Sequence, residues 1–336
     1  MTAVALQLAL MLLVILAASE LFTNALEHLG ERLGISEGVT GSIFASVATA
    51  MPETMVPLLA LFAGTTDSEI NEEIGVGAIL GAPLMLSTLS CCLMAAAVLR
   101  SRGLAGRIRP EHSGLARDLD FFLAAFALAA LAMFVPLTAA YLRAALATAL
   151  VLIYFVYTLL TLRASAKLVE GGHGTAAEQK MLVARLGLPT THATIALQLV
   201  IGLALLIFGA RGFIEGVQGA STLLGISPLL LSLLIIPIAT ELPEKVNSIL
   251  WIRRGKDTLA FGNITGAMVF QGTLLPAIGI MLTPWQPRLE VLAGVAITLA
   301  AAVWLRYRLA AGGLRVWMLL ANGLLYLGFI GIALSG

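Results

Sequence analysis

Glu53 and Glu244 each lie within an apolar run of membrane length, and each follows a threonine and a proline at the same spacing. The two stretches read Thr49-Ala50-Met51-Pro52-Glu53 and Thr240-Glu241-Leu242-Pro243-Glu244. A carboxylate at mid-bilayer costs about 2.5–3.5 kcal/mol on insertion scales, so by default it marks an ion site or pathway. Proline removes a backbone donor and crowds the preceding turn. Both helices are therefore expected to break, near residues 50–52 and 241–243. Carbonyls freed beside a carboxylate make an oxygen-rich place for a hard cation. The plainer reading is a carboxylate that caps the second half-helix, where exposed N–H groups and the dipole favour negative charge. That so costly a residue occurs twice in one setting favours the ligand.

The two stretches are copies. An offset of 191 superposes Leu33, Gly34, Ile35, Ser36, Thr49, Pro52, Glu53 and Gly64 on identical residues without a gap. Downstream, Gly77-Ala78-Ile79-Leu80-Gly81 matches Gly262-Asn263-Ile264-Thr265-Gly266 at an offset of 185, so the first copy carries six more loop residues. Matched, interrupted helices in two halves are the sequence pointer to a secondary transporter.

Several neighbours of the two glutamates allow more than one reading. Glu241 and Lys245 are four apart, so one helical turn would set them on one face as an ion pair; equally, Lys245 could reach along its stem to the membrane interface. As a pair they would act as a charge modulator, with Lys245 a tethered positive charge in place of a coupling ion. Gln271, Asn263 and Asn247 either complete a cation shell or form ordinary interhelical hydrogen bonds. Ser42 and Ser46 share the face of Thr49 and serve equally well as small packing residues. Gly75, Gly77 and Gly81 suit close helix approach. His28, His112, His173 and His192 lack ligand spacing.

The elements that must position these residues are membrane helices. Of 336 residues, 59% are hydrophobic and 12% charged, and the mean hydropathy is +0.98. That is the composition of a multi-spanning membrane protein. A net charge of +1 gives no reason to expect nucleic acid. Adjacent Cys91 and Cys92 lie in an apolar run and are expected to pack rather than bridge. Residues 1–23 lack a basic leader, which favours an uncleaved first span.

Spanning runs fall at about 2–23, 37–63, 74–99, 119–137, 139–162, 192–213, 228–252, 258–283, 288–305 and 314–334. That divides the chain into a five-span repeat at 1–162, a polar cytoplasmic linker at 163–191, and a second five-span repeat at 192–336. Basic residues collect after the odd-numbered spans: Arg32 after the first, Arg100, Arg102, Arg107, Arg109 and Arg117 after the third, Arg163, Lys167, Lys180 and Arg185 after the fifth, Arg253, Arg254 and Lys256 after the seventh, and Arg306, Arg308 and Arg315 after the ninth. Those loops are then cytoplasmic and both termini outside. The loop with Asp67, Glu69, Glu72 and Glu73 is acidic and lies opposite. An odd number of spans per half makes the duplication inverted, so the two breaks can meet near the midplane.

At these residues the chain resembles the calcium/cation antiporter superfamily, which includes sodium/calcium and cation/proton exchangers. Members carry two inverted repeats with a Gly-Thr-Ser-x-Pro-Glu-like motif on one helix and a Gly-Asn-x-x-Gly-Ser-Asn-like motif on the next. The paired Thr-x-x-Pro-Glu stretches match the first. Gly262-Asn263-Ile264-Thr265-Gly266 matches the second, and Gly77 to Gly81 matches it in part. The resemblance implies an all-α membrane protein of ten helices in two inverted repeats. It also implies Glu53 and Glu244 as main cation ligands, with oxygens added by Thr49 and Thr240. Departures are specific. Ala50, Glu241, Ala82 and Ala267 replace serines, and Leu86 and Gln271 stand where sodium/calcium exchangers place Asn or Asp. Lost sodium-type oxygens leave Ca²⁺ or another divalent cation as the cargo and turn the counter-ion towards H⁺.

The expected function is therefore secondary active antiport of a divalent cation for H⁺ or Na⁺ by alternating access, in a prokaryotic plasma membrane. Glu53, Glu244, Thr49, Thr240, Glu241 and Gln271 are the candidate cation ligands, and no cofactor is expected beyond the transported ion. A cation channel is the nearer alternative. An intramembrane acid–base enzyme is the remoter one, since no nucleophile, metal triad or water-activating His accompanies the glutamates.

Overall fold

The computed structural model describes residues 2–32, 51–63, 67–169, 180–187 and 189–335. The break expected at 50–52, together with Thr49, Ser42 and Ser46, lies outside them. The described chain is helical apart from two short strands, and it falls into two compact units: Met1–Asp67 with Thr158–Gly225, and Ser68–Tyr157 with Ile226–Gly336. These units describe packing, whereas the repeats at 1–162 and 192–336 describe duplicated sequence.

In the first unit, α1 (Thr2–Arg32) lies against a long helix, His192–Leu224, with the short helix α2 (Met51–Ala63) beside them. The long helix presents Gly202 to Phe22, Gly209 to Ile15 and Gly216 to Leu8, a small-residue face that lets two apolar helices approach closely. Polar side chains lock the pair. Gln198 Nε2 donates to the Leu21 carbonyl and to Asn24 Oδ1, both at 2.9 Å, and Gln7 Nε2 donates to the Gly212 carbonyl at 3.0 Å.

The second unit starts with α3 (Ser68–Met85), which passes through a π-helical turn, Leu86–Ser90, into α4 (Cys91–Arg102). Then come β1 (Arg107–Ile108), α5 (His112–Ala132) and α6 (Ala140–Val169), the last running on into the first unit. The helix His192–Leu224 is α7. Beyond it lie α8 (Pro228–Thr240), α9 (Leu242–Arg253), α10 (Asp257–Leu282), α11 (Leu289–Ala310), β2 (Leu314–Arg315) and α12 (Val316–Ser335). The largest apolar core joins α3, α4, α5, α10 and α11, with Phe122 and Phe126 stacked at its centre. Cys91 and Cys92 are unbridged, as their apolar setting predicts.

Among the described residues, seven helices are long and apolar enough to cross a membrane: Thr2–Phe22, Ser68–Arg102, Ala140–Arg163, His192–Leu224, Asp257–Leu282, Leu289–Ala310 and Val316–Ala333. Of the other three expected spans, two differ and one is described only in part. The stretch at 228–252 is cut into α8 and α9, and only α2 of the stretch at 37–63 is described. The fourth, α5, carries Arg117, Asp118 and Asp120 in its first half.

Within the second unit the loops separate cleanly to two ends. At one end, Arg102 grips Asp257 through both guanidinium nitrogens at 2.8 Å, and Asp257 also accepts the Arg109 N–H at 2.8 Å. There β1 pairs antiparallel with β2, and Arg306 bonds Asp120. The loops after the expected third, seventh and ninth spans therefore sit together, as their arginines require of one membrane side. At the other end, Arg288 pairs with Glu73 and Trp285 Nε1 reaches the Ala129 carbonyl at 2.9 Å. Buried Arg143 there holds the Thr283 and Pro284 carbonyls at 2.6 and 3.1 Å, a cation on the C-terminal end of α10.

Candidate cation-binding site

The break between α8 and α9 is one residue long. Glu241 has φ −86° and ψ 7°, off the helical values, while Glu241 N–H to Pro237 O at 3.2 Å and Lys245 N–H to Glu241 O at 3.1 Å bridge the interruption. The expectation of a break at 241–243 holds, but its mechanics differ from those expected of Pro243. Pro243 stands in the first turn of α9, where a missing N–H costs little. Pro237, inside α8, is the residue that withdraws a donor, and it leaves the Leu233 carbonyl without its helical partner. Against that carbonyl lies Gly81 of α3. A Cβ built on Gly81 would stand 2.3 Å from Leu233 O and 2.7 Å from Pro237 Cγ, so only glycine allows the approach.

Around this kink the second unit gathers a buried polar cluster. Glu241 is fully buried, and Glu244, Lys245, Thr240 and Gln271 are each at most 6% exposed. Glu244 lies in the first turn of α9. A carboxylate oxygen of Glu241 comes within 4.8 Å of one of Glu244, and two ionised carboxylates at that range repel by roughly 3 kcal/mol at an effective dielectric of 20. Gln271 of α10 donates to Glu241 Oε1 at 2.6 Å. Three oxygens then remain buried with no hydrogen-bond partner among the described residues: Glu241 Oε2, Glu244 Oε2 and Gln271 Oε1. Unsatisfied buried oxygens are expensive, and all three are hard donors of the kind that hold Ca²⁺.

Lys245 sends its ammonium across the kink to the Pro237 carbonyl at 2.9 Å and the Met85 sulfur at 2.8 Å. It does not snorkel to an interface. Glu241 accepts its hydrogen bond from Gln271, and Lys245 acts on Glu241 through its charge. Asn263 takes the interhelical role, donating to the Glu244 carbonyl and to Ser248 Oγ at 3.0 Å each. Asn247 is exposed, away from the cluster. The Thr240 hydroxyl donates back to Ile236 O at 3.3 Å, so only its lone pairs are left to a ligand. Glu53, in the first unit, is buried in the first turn of α2, the place that Glu244 holds in α9.

Sequence reading missed Met85. Nothing local marks it, and it reaches the site because α3 winds into the π turn there, a feature frequent at functional sites.

A proline-kinked span beside a buried carboxylate cluster is the arrangement in which multi-pass membrane transporters place their ion sites. The family model for "Sodium/calcium exchanger protein" matches residues 3–163 and 194–335. The chain belongs to that family, and it is a multi-pass integral membrane protein. It is 25% identical over 332 aligned residues to the inner membrane protein YrbG of Escherichia coli K12, covering 91% of this chain and 93% of that one. With CaxA of Alkalimonas amylolytica it shares 38% identity over 96 residues, a match that spans 29% of this chain and 30% of CaxA. Among solved structures, the H⁺/Ca²⁺ exchanger CAX superposes with a TM-score of 0.73 at 19% identity, over 99% of this chain and 85% of that one. The sodium–calcium exchanger NCX_Mj gives 0.59 at 17% identity over 98% of each chain. At these identities the structures speak for the fold alone.

Proposed function

We propose that the protein is a divalent-cation antiporter that exchanges Ca²⁺ for H⁺ by alternating access, in a prokaryotic plasma membrane with both termini outside. The observation that carries the reading is the set of three buried, unpartnered oxygens of Glu241, Glu244 and Gln271 at the α8–α9 kink. On this reading Glu244 is the principal ligand of its half. The duplicated sequence assigns Glu53 the equivalent role in the other half, with Thr49 and Thr240 adding oxygens. The chain then consists of ten spans in two inverted repeats, a ten-helix fold that handles one cation at its midplane.

Proton coupling is favoured over sodium coupling by residue type. Ala50, Ala82, Leu86 and Ala267 offer no oxygen where sodium-binding relatives of this motif have one. Carboxylates, by contrast, take either a cation or a proton at one atom. Ca²⁺ uptake into proteoliposomes under an imposed pH or sodium gradient, one at a time, tests both claims. Uphill accumulation driven by the pH gradient is expected. Strictly sodium-dependent uptake would refute proton coupling, and purely downhill flux would refute the antiporter in favour of a channel.

A further inference from the structure

Where the loop before α5 meets the turn between α11 and α12, the second unit has an open surface pocket of about 410 Å³. Arg107, Arg109, His112 and Arg315 line it together with the Gly312-Gly313 turn. Its walls are held rigidly. Val316 N–H bonds the Gly106 carbonyl and Trp317 N–H the Leu104 carbonyl, both at 3.1 Å, on either side of the two-residue ladder. In that ladder Arg107 stands directly opposite Arg315, and like charges in that register repel. Asp257 accepts the Arg109 N–H while paired with Arg102, and among the described residues no carboxylate forms an ion pair with the guanidinium of Arg107, Arg109 or Arg315. The nearest acid along the chain, Glu111, is turned away: its two oxygens accept the Ser113 and Gly114 N–H groups at 2.7 and 2.6 Å to cap α5. An open pocket lined by three arginines whose guanidinium groups form no ion pair among the described residues suits an anion. Guanidinium forks match phosphate oxygens two at a time.

The depth of the pocket indicates which phosphate. Trp304 and Trp317 pack edge to face at 6.0 Å and hold the Arg308 guanidinium over both rings, at 5.4 and 5.6 Å. Tryptophans and a basic residue so arranged mark the headgroup level of a bilayer. On the same end of the unit, Leu104, whose carbonyl accepts the Trp317 N–H, and Tyr307, in the last turn of α11, are exposed, as side chains at a lipid boundary are. We propose that this pocket binds the phosphate headgroup of an anionic phospholipid, on the arginine-rich side of the membrane, as basic pockets between membrane helices do. The site is separate from the carboxylate cluster, and the proposal stands whatever cation is carried.

The test uses the purified full chain in detergent with added dioleoylphosphatidylglycerol, dioleoylphosphatidylcholine or inorganic phosphate. Melting temperature and lipid count by native mass spectrometry are the readouts. Phosphatidylglycerol should raise the melting temperature and leave one more bound lipid than phosphatidylcholine does. Arg107→Gln/Arg315→Gln should bind phosphatidylglycerol roughly 30-fold more weakly, at about a factor of five per basic residue. Without anionic lipid this variant should melt no lower than the native chain, because the cross-strand repulsion is gone. Equal response to the two lipids, or unchanged phosphatidylglycerol binding in the variant, would overturn the proposal. Displacement of phosphatidylglycerol by inorganic phosphate would overturn the lipid as occupant and leave a soluble-anion site. Arg109→Gln, outside the ladder, carries the same test if the double variant does not fold.

Discussion

Replacing a charged oxygen by an amide changes little in shape, so the two duplicated glutamates can be tested without disturbing the packing. Glu244→Gln and Glu53→Gln should each reduce Ca²⁺ uptake to background while the protein still inserts and elutes as the native chain does, because a hard cation loses a charged ligand. Wild-type uptake by either variant would remove that residue from the site. Lys245 bears on charge balance. With both carboxylates ionised, Glu241, Glu244 and Lys245 carry one net negative charge, and Lys245→Gln would make it two. The charge moved per Ca²⁺ on solid-supported membranes should shift in that variant, and Glu241→Gln/Lys245→Gln should restore it. An unchanged charge in Lys245→Gln would mean that the ammonium only braces the Pro237 carbonyl and Met85.

At the scale of elements, the kink depends on a fit between two backbones. Pro237 strips the Leu233 carbonyl of its helical donor, and α3 covers the place with Gly81. Adding one methyl there forces α3 and α8 apart. Gly81→Ala should destabilise by about 1–3 kcal/mol, the usual cost of overpacking, and lower the melting temperature in detergent. Gly77→Ala should behave alike, since its Cβ would strike the Leu229 carbonyl at 2.6 Å. Melting at the native temperature in both would show that the helices yield easily.

For the whole molecule, the end-to-end sorting of loops makes orientation testable. The Arg102–Asp257 clamp, the β1–β2 ladder and the Arg306–Asp120 pair tie three arginine-rich loops to one end of the second unit. The charge rule assigns that end to the cytoplasm. Alkaline phosphatase, active only outside the cytoplasm, should be active when fused after Gly336 and inactive when fused within residues 253–256. The reverse pattern would invert the protein and the direction assigned to its two ends.

Much of this was legible in the chain itself. A glutamate in an apolar run, a proline before it, an exact internal offset and arginines in alternate loops are local or countable properties. They report what each stretch requires of water and lipid, so the membrane class, the kink at 241 and the shared end of the arginine loops follow without coordinates. The destinations of long, flexible side chains do not. Lys245 ends on Met85, 160 residues away, and Gln271 on Glu241, 30 residues away. Arg107 meets Arg315 across a ladder that no strand pattern announces. In each case an ammonium, amide or guanidinium swings on several rotatable bonds. Which acceptor it finds depends on where another helix leaves a carbonyl, a sulfur or a loop, and packing alone determines that.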